Sequence, residues 1–259
     1  ISKVTRKRFK HDAPHPFDLT SLQVEAYRLF RIQPKETLSI AQELYSNSYI
    51  SYPRTSSNQL SDKIGYSKIL KALSKQDFYR DLCKDLLKKK TLKPNNGKKK
   101  DAAHPAIYCT GEVPKKLEER ERKIYDLIVK RFMATFAEPA VRESMTVTVD
   151  CGGENFLAKG VRTVEEGWYK YYRPYVKVEE QEFIVKEGQE LNVKELKLHS
   201  KETQPPKRYT PASIIKELEK RGLGTKATRS EIIEHLFDRG YLKRNGSIAA
   251  TGLGIKTVE

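Results

Sequence analysis

Cysteine is scarce in this sequence, and long apolar runs are missing. The three cysteines, Cys83, Cys109 and Cys151, lie far apart and form no C-x-x-C pair. That spacing argues against a zinc ribbon and against a disulfide framework, and it fits reduced thiols in an intracellular protein. No apolar run approaches the roughly twenty residues that a helix needs to cross a bilayer, so we expect no membrane partner.

Acidic residues are too few to balance the basic ones. Lys and Arg total 50 against 34 Asp and Glu, which gives a formal net charge of +16 and a pI near 9.6. Such an excess favours a polyanionic partner, with nucleic acid ahead of a membrane surface, because no basic amphipathic anchor is visible. Solubilising surface charge is the alternative, and composition leaves it open. No Asp-x-Asp pair occurs, and we expect these residues to hold no metal.

The arrangement of helix and strand signals indicates an α+β chain with several domains. At 259 residues the chain is long enough to bury a real core and to divide into about two or three domains. We predict four segments: a basic strand and leading segment that packs with the β domain (1–18), a mainly helical domain that carries a candidate catalytic tyrosine (19–138), a small antiparallel β domain (139–204) and a winged-helix-like DNA-binding segment (205–259).

Hydrophobic periodicity gives the elements within the first three segments. Apolar residues at helical spacing predict helices over residues 21–30, 34–46, 62–87 and 115–136, with Asp18 or Thr20 as the cap of the first. Alternation of apolar and polar residues predicts strands at 145–149, 156–161, 171–176, 182–185 and 191–198, with a turn at Gly152-Gly153.

Two features have both a structural and a nucleic-acid interpretation. Residues 88–100 form a lysine-rich segment broken by Pro94 and Gly97, which is either a solvated flexible loop or a DNA contact. Residues 168–175 form an aromatic cluster that either stacks on bases or packs within the β domain. The structural interpretation is favoured for both.

Helix signals are clearest near the carboxyl end of the sequence. Thr210 is a candidate N-cap, followed by Pro211 at the first helical position. Thr228-x-x-Glu231 predicts a capping box that opens a second helix, and Asn245-Gly246 predicts a tight hairpin. Helix, turn, helix and hairpin form a winged-helix pattern, a common reader of nucleic acid. The turn before the second helix supplies three candidate DNA contacts, Lys226, Thr228 and Arg229.

A faint internal similarity accompanies this pattern. Residues 40–45 and 49–50 align without gaps on residues 232–237 and 241–242. Apolar positions match while polar ones mostly differ, so shared core packing is the safe inference. The tyrosine stretch after the first of these helices is then a candidate strand of a second winged-helix-like unit, and chance similarity is the alternative.

The stretch Tyr52-Pro53-Arg54-Thr55-Ser56 has the composition of a phosphate-handling site. Proline disfavours helix at the residue before it, so Tyr52 is expected in extended chain, with Arg54 on the same face. A phenol oxygen can attack phosphorus while a guanidinium holds the non-bridging oxygens. Thr55 and Ser56 add hydroxyl donors. Taken alone, a Tyr–Arg pair of this kind is more often packing than catalysis.

The exact string changes that balance, because it resembles the active-site signature of type IA DNA topoisomerases. Three further motifs occur in the order of that family. The four motifs are Pro16-Phe17-Asp18-Leu19-Thr20-Ser21-Leu22-Gln23, Ile50-Ser51-Tyr52-Pro53-Arg54-Thr55, Asp101-Ala102-Ala103-His104-Pro105-Ala106-Ile107, and the segment from Pro205-Pro206-Lys207-Arg208-Tyr209-Thr210 to Arg239-Gly240-Tyr241.

The resemblance implies a reaction and its parts. Tyr52 would attack a phosphodiester of single-stranded DNA and form a 5′-phosphotyrosine link, Arg54 would stabilise the phosphate, and His104 would bind the backbone beside the cleavage site. It also implies Mg²⁺, held by an acidic domain with an Asp-x-Asp pair that precedes the region matched here. We therefore expect a piece of a longer, DNA-associated intracellular protein (cytoplasmic in a prokaryote) that binds single-stranded DNA and does not relax supercoils without that domain.

Other classes of protein explain less of the sequence. A non-catalytic winged-helix module would account for the charge and the carboxyl-end helices, but not for the Tyr-Pro-Arg-Thr string. A tyrosine recombinase would need several arginines and a histidine in a set pattern near a tyrosine close to its carboxyl end. A structural scaffold accounts for least.

Overall fold

The computed structural model describes residues 1–259, with the side chain of Asn245 left out. Two compact units make up the chain: one joins Ile1–Ala13 to Glu138–Pro206, and the other joins Pro14–Ala137 to Lys207–Glu259. Helices and small antiparallel sheets are both present, which confirms the α+β class. Among the described residues, no helix has the length and apolar character that a membrane span requires.

The unit that contains the first residues is built on a three-stranded antiparallel sheet. Its strands are β1 (Lys3–His11), β2 (Ala140–Cys151) and β3 (Glu154–Glu165), in the order β1-β2-β3. The predicted turn at Gly152-Gly153 connects β2 to β3, and both glycines have positive φ, which glycine adopts without steric cost. A short helix, α6 (Tyr169–Tyr172), follows β3.

The strands predicted beyond β3 are wrong. Residues 171–176 begin inside α6, and the structure shows no strand over residues 182–185 and 191–198. Burial of the aromatic rings explains the first error, because Tyr169 and Tyr172 are each 2% exposed and the helical turn brings both rings into contact with Trp168. The Trp168 indole also donates a hydrogen bond to the His11 carbonyl oxygen at 3.0 Å. This cluster therefore packs within its own unit.

Helices form most of the other unit. In the part before residue 138 they are α1 (Leu19–Phe30), α2 (Pro34–Ser46), α3 (Tyr66–Leu73), α4 (Asp77–Leu87) and α5 (Glu119–Ala134). Asp18 caps α1, since its carboxylate accepts a hydrogen bond from the Ser21 N–H at 2.7 Å. The predicted helix over 62–87 is two helices, α3 and α4. The core is apolar and includes Leu22, Ala41, Leu44, Leu70, Leu86, Leu127 and Phe132.

The remaining elements of this unit follow residue 207. They are α7 (Pro211–Lys220), α8 (Arg229–Asp238), β4 (Leu242–Asn245), β5 (Ser247–Ala250) and α9 (Gly252–Val258). Thr210 caps α7 as predicted, and β4 and β5 form the predicted hairpin around Gly246. The prediction of a capping box at Thr228 is wrong. The Thr228 hydroxyl accepts a hydrogen bond from the Thr225 N–H at 3.0 Å and does not cap α8.

Helix α1 packs on α2 and α7, and α2 packs on α5 and α8. The carboxyl-end helices thus pack directly against the helices that lead to Tyr52.

Candidate active site

Tyr52 lies in a segment that is fixed on both sides by backbone hydrogen bonds. The segment leaves α2 through Ser48, which has a left-handed φ of 61°. Ile50 then forms an antiparallel bridge with Cys109, and the Ser51 N–H donates to the Tyr108 carbonyl oxygen at 2.8 Å. These pairings connect the tyrosine segment to residues that come more than fifty positions later in the chain.

That pairing brings His104 to Tyr52. Their ring centroids are 4.4 Å apart with the planes tilted by 46°, and both side chains are half-buried. Tyr45, on the last turn of α2, contacts the Tyr52 ring edge-on with centroids 5.3 Å apart. The tyrosine is therefore held between an imidazole and a second phenol.

Arg54 lies beside a groove between α2 and α8. Its Nε donates to the Gln42 side-chain oxygen at 3.4 Å. The groove has a volume of about 470 Å³, and its lining includes Lys35, Gln42, Glu43, Arg54, Ser230 and Glu231. The guanidinium is thus oriented by a helix of the same unit and borders a cleft that is open to solvent.

Thr55 is placed as a structural residue of the site. It is fully buried, and its hydroxyl donates to the His104 carbonyl oxygen at 3.2 Å. Its own carbonyl oxygen accepts from the Leu19 N–H at 3.0 Å. Thr55 therefore holds the histidine segment to the tyrosine segment, and its hydroxyl is already bonded within the protein.

Ser56 is bonded to a residue to which the sequence assigned no role. Its backbone N–H and its hydroxyl both donate to the same carboxylate oxygen of Asp101, at 3.1 and 3.0 Å. The other carboxylate oxygen of Asp101 accepts a hydrogen bond from the Ala103 N–H at 3.1 Å. The Lys226 ammonium donates to the oxygen that Ser56 also contacts. Asp101 therefore links three segments that carry predicted site residues.

This environment favours the charged form of Asp101. The side chain is only 6% exposed. Burial alone would raise the pKa of its carboxyl, but the hydrogen bonds from Lys226, Ser56 and Ala103 outweigh burial and hold that pKa well below its usual range. The only sequence signal for this role is that an Asp side chain can accept a hydrogen bond from the backbone N–H two residues later, here that of Ala103. Such Asx turns are common in loops.

The three candidate DNA contacts near α8 are all bonded within the protein. Lys226 is paired with Asp101, and the Thr228 hydroxyl closes the turn on Thr225. Arg229 donates to the carbonyl oxygens of Leu223 and Gly224, at 3.0 and 3.3 Å. These side chains shape the turn ahead of α8, and their contact with nucleic acid stays a prediction.

In the basic segment 88–100, Lys99 forms ion pairs with two carboxylates of the protein. The Lys99 ammonium contacts the Asp18 and Glu219 carboxylates at 2.8 and 2.7 Å. Lys99 is nevertheless 48% exposed, and Lys98 and Lys100 are exposed as well, which agrees with the prediction of a solvated loop at these three residues. Among the described residues, no three His, Cys, Asp or Glu side chains group as metal ligands would.

Comparison with known proteins assigns the chain to a family. A family model described as DNA topoisomerase matches residues 1–259. DNA topoisomerase 1 of Pyrococcus horikoshii is 48% identical over 264 residues, covering 100% of this chain and 38% of that protein. DNA topoisomerase 3 of Caenorhabditis elegans is 30% identical, covering 100% of this chain and 34% of that protein.

A solved structure agrees with the sequence relatives. Full-length topoisomerase I from Thermotoga maritima superposes with a TM-score of 0.76 at 26% identity, over 98% of this chain and 43% of that one. The chain thus spans about a third of the length of the curated relatives it matches.

Proposed function

The chain belongs to the type IA DNA topoisomerases, and we propose that it supplies the tyrosine with which such an enzyme cleaves and rejoins one DNA strand. The observation that carries the proposal is the ring contact between His104 and Tyr52, with centroids 4.4 Å apart. Two motifs that are far apart in the sequence meet in one place, as a shared site requires.

The proposed chemistry is a reversible transesterification. The Tyr52 oxygen attacks the phosphorus of a phosphodiester in single-stranded DNA and loses its proton. The bond from phosphorus to the 3′ oxygen breaks, and that oxygen takes up a proton and leaves as a 3′-hydroxyl. The downstream strand stays attached through a 5′-phosphotyrosine bond, and attack by the 3′-hydroxyl on this bond restores the DNA after strand passage.

Each nearby side chain has a proposed role in that step. Phenols in water ionise near pH 10, so attack at neutral pH needs help with proton removal and with the negative charge of the phosphorane. Arg54 would stabilise the phosphate oxygens with its planar fork of donors. His104 would bind the DNA backbone next to the scissile phosphate, to which an imidazole N–H can donate a hydrogen bond.

We propose that Mg²⁺, which the family uses, is bound by another part of the protein. The described residues offer no acidic cluster of the kind that Mg²⁺ requires. The proposed holder is an acidic domain of the same protein, which would act as the partner of this chain.

Single-stranded DNA is the proposed nucleic-acid partner. The formal net charge of +16 supports a polyanion, and the proposed contacts beyond the reacting phosphate are His104, Ser56, Lys226, Thr228 and Arg229. Thr55, the sixth residue predicted to contact DNA, is fully buried and would support these contacts through its hydrogen bond to the His104 carbonyl oxygen. Helices α7 and α8 with the β4–β5 hairpin support a winged-helix-like reader over residues 205–259. The same feature favours a second candidate function, a non-catalytic winged-helix DNA-binding module. We also propose that the domains divide at residues 18, 138 and 204.

A covalent-trapping experiment tests the proposal. The chain is mixed with the acidic domain of a relative supplied separately, with 5′- or 3′-labelled single-stranded DNA and Mg²⁺, and is resolved on a denaturing gel. We expect label from the fragment downstream of the break to stay with the protein, and Tyr52→Phe to abolish it. Tyr45→Phe is the matched control, since it also removes one phenol hydroxyl from the pair of contacting tyrosines and should retain the adduct.

Other outcomes would reject the proposal. An adduct that survives in Tyr52→Phe would assign the nucleophile elsewhere. Label from the upstream fragment would reverse the polarity. Tight, salt-sensitive DNA binding with no adduct, even when this chain replaces the matched segment of the intact Pyrococcus horikoshii enzyme, would favour the non-catalytic module.

A further inference from the structure

Asp101 is the residue on which the segments of the site converge. The first segment carries Tyr52 and Arg54 and reaches Asp101 through both donors of Ser56, at 3.1 and 3.0 Å. The second carries His104 and reaches Asp101 through the Ala103 N–H at 3.1 Å. The third is the turn ahead of α8, which reaches it through Lys226.

The position of these contacts in the chain makes them consequential. Ser56 lies two residues after Arg54, and Ala103 immediately precedes His104. A shift of the Asp101 carboxylate would therefore move the backbone of both segments that meet at the 4.4 Å ring contact. Hydrogen bonds to an ionised carboxylate are stronger than those between neutral groups, so this contact resists displacement.

The Asp101 side chain is 6% exposed, while Lys226 is 33% exposed. The carboxylate is thus withheld from solvent, and its partner ammonium stands at the surface next to it. The low pKa of the Asp101 carboxyl keeps the charge in place across the physiological pH range.

We infer that Asp101 is a positioning residue of the strand-cleavage site, which holds the Tyr52 segment, the His104 segment and Lys226 as one block. The inference rests on the proposed cleavage by Tyr52. Asp101 would act through Ser56, Ala103 and Lys226 and would itself touch neither the DNA nor the metal.

The test separates positioning from DNA binding. Asp101→Asn keeps the shape of the side chain and removes its charge. In the covalent-trapping reaction we expect the adduct-forming rate at saturating DNA to fall about 10- to 100-fold, since small misplacements of reacting groups cost that much. The dissociation constant for single-stranded DNA, measured by fluorescence anisotropy on the chain alone, should stay the same or decrease, because Lys226 loses its counter-charge.

Two controls make the result specific. Asp81→Asn, on the exposed face of α4, makes the same change of net charge away from the site and should leave the rate unchanged. Lys226→Met should weaken DNA binding, and the rate of the double variant should match that of Asp101→Asn alone, because both changes break the same ion pair.

The outcomes distinguish this inference from the proposed function. A wild-type adduct with equal rates for Asp101→Asn and Asp81→Asn would overturn the positioning role and leave the proposed function intact. A rate at saturation that is unchanged while binding weakens would also overturn it. Absence of any wild-type adduct would overturn both. If Asp101→Asn unfolds, as judged by its thermal melting, the milder Ser56→Ala, which removes one of the donors, should lower the rate about 2- to 5-fold, and no fall would reject the inference.

Discussion

The helix pair before Tyr52, α1 and α2, and the helix pair after residue 207, α7 and α8, are built alike. The first helix of each pair begins with the same kind of cap. Asp18 caps α1 and forms a reciprocal box with Ser21; Thr210 caps α7 and forms the same box with Ser213. We call residues 17–52 with 106–111 the first repeat, and residues 209–252 the second.

The resemblance continues to the end of the second helix of each pair. In the first repeat the Tyr49 N–H donates a hydrogen bond to the Leu44 carbonyl oxygen at 2.9 Å. In the second repeat the Tyr241 N–H donates to the Leu236 carbonyl oxygen at 3.0 Å. The residue before each tyrosine has a left-handed φ, 61° at Ser48 and 71° at Gly240.

A threonine closes both repeats in the same way. The Thr110 hydroxyl donates to the Ser48 carbonyl oxygen at 2.6 Å, and the Thr251 hydroxyl donates to Gly240 at 2.7 Å. The backbone N–H groups of Thr110 and Thr251 donate to the carbonyl oxygens of Tyr49 and Tyr241, at 3.1 and 3.0 Å. The two repeats therefore have matching closing hydrogen bonds as well as matching helices.

The difference lies between the two strands. In the second repeat β4 turns directly into β5 at Gly246. In the first repeat residues 53–105 are inserted at that point, and Ile107 and Cys109 then form isolated bridges to Phe17 and Ile50 in place of a second strand. The inserted segment carries Arg54, Ser56, Asp101 and His104, whereas the second repeat has Arg244 where Tyr52 would fall. The repeat is thus a scaffold, and the insertion builds the site.

The largest effect we expect comes from the unequal burial of the two scaffolds. Leu44 is 1% exposed, whereas the matching Leu236 is half-buried. Leu44→Ala should lower the free energy of unfolding by about 3 kcal/mol through lost burial and a residual cavity, and Leu236→Ala by about 1 kcal/mol. Urea denaturation followed by circular dichroism measures both. Equal losses would mean that the repeats are equally packed.

The same two regions show how far the sequence leads. It predicted α2 with its observed bounds and aligned the two second helices, because apolar periodicity and caps are local. It predicted the Tyr52–His104 pairing only through family resemblance, since that contact depends on a bridge between Ile50 and Cys109. The match of Thr110 with Thr251 is hidden by the insertion. Asp101 was missed because its partners, Ser56 and Lys226, are distant in the chain.

The contact between the repeats can be broken at Lys99. It bridges Asp18 of the first repeat, whose side chain is 3% exposed, to Glu219 of the second. Lys99→Met should lower the free energy of unfolding by about 1–2 kcal/mol, less than for a fully buried pair because Lys99 is 48% exposed. Lys98→Met, next to it and exposed, is the control. Matching losses would show that the bridge contributes nothing.

The pH dependence of that loss has a definite sign. Burial alone would lower the pKa of Lys99, but its hydrogen bonds to Asp18 and Glu219 raise that pKa above its usual value. A raised pKa in the folded state means a contribution that is complete at neutral pH and is lost as the pH rises through the raised pKa. On the alkaline side, the gap between wild type and Lys99→Met should therefore close in strongly alkaline buffer. It should also narrow in acid, where protonation of Glu219 removes one of the two carboxylates.

The smallest expected effects compare the two left-handed turns. Ser48 adopts its φ of 61° at a steric cost that glycine avoids. Ser48→Gly should raise the free energy of unfolding by about 0.5 kcal/mol, the steric relief being partly offset by the greater freedom of glycine in the unfolded chain. Gly240→Ala should lower it by about 1 kcal/mol, although open space surrounds the position, because the backbone strain remains.

Ser46→Gly is the control for these turns. It makes the same change within the last turn of α2, where glycine weakens a helix, and should lower the free energy of unfolding by about 0.5 kcal/mol. Opposite signs at Ser46 and Ser48, two residues apart, would establish that the first repeat retains the turn geometry of the second and stores its strain directly before the tyrosine segment. If Ser48→Gly also destabilised the protein, the serine side chain would have a role that its counterpart Gly240 lacks.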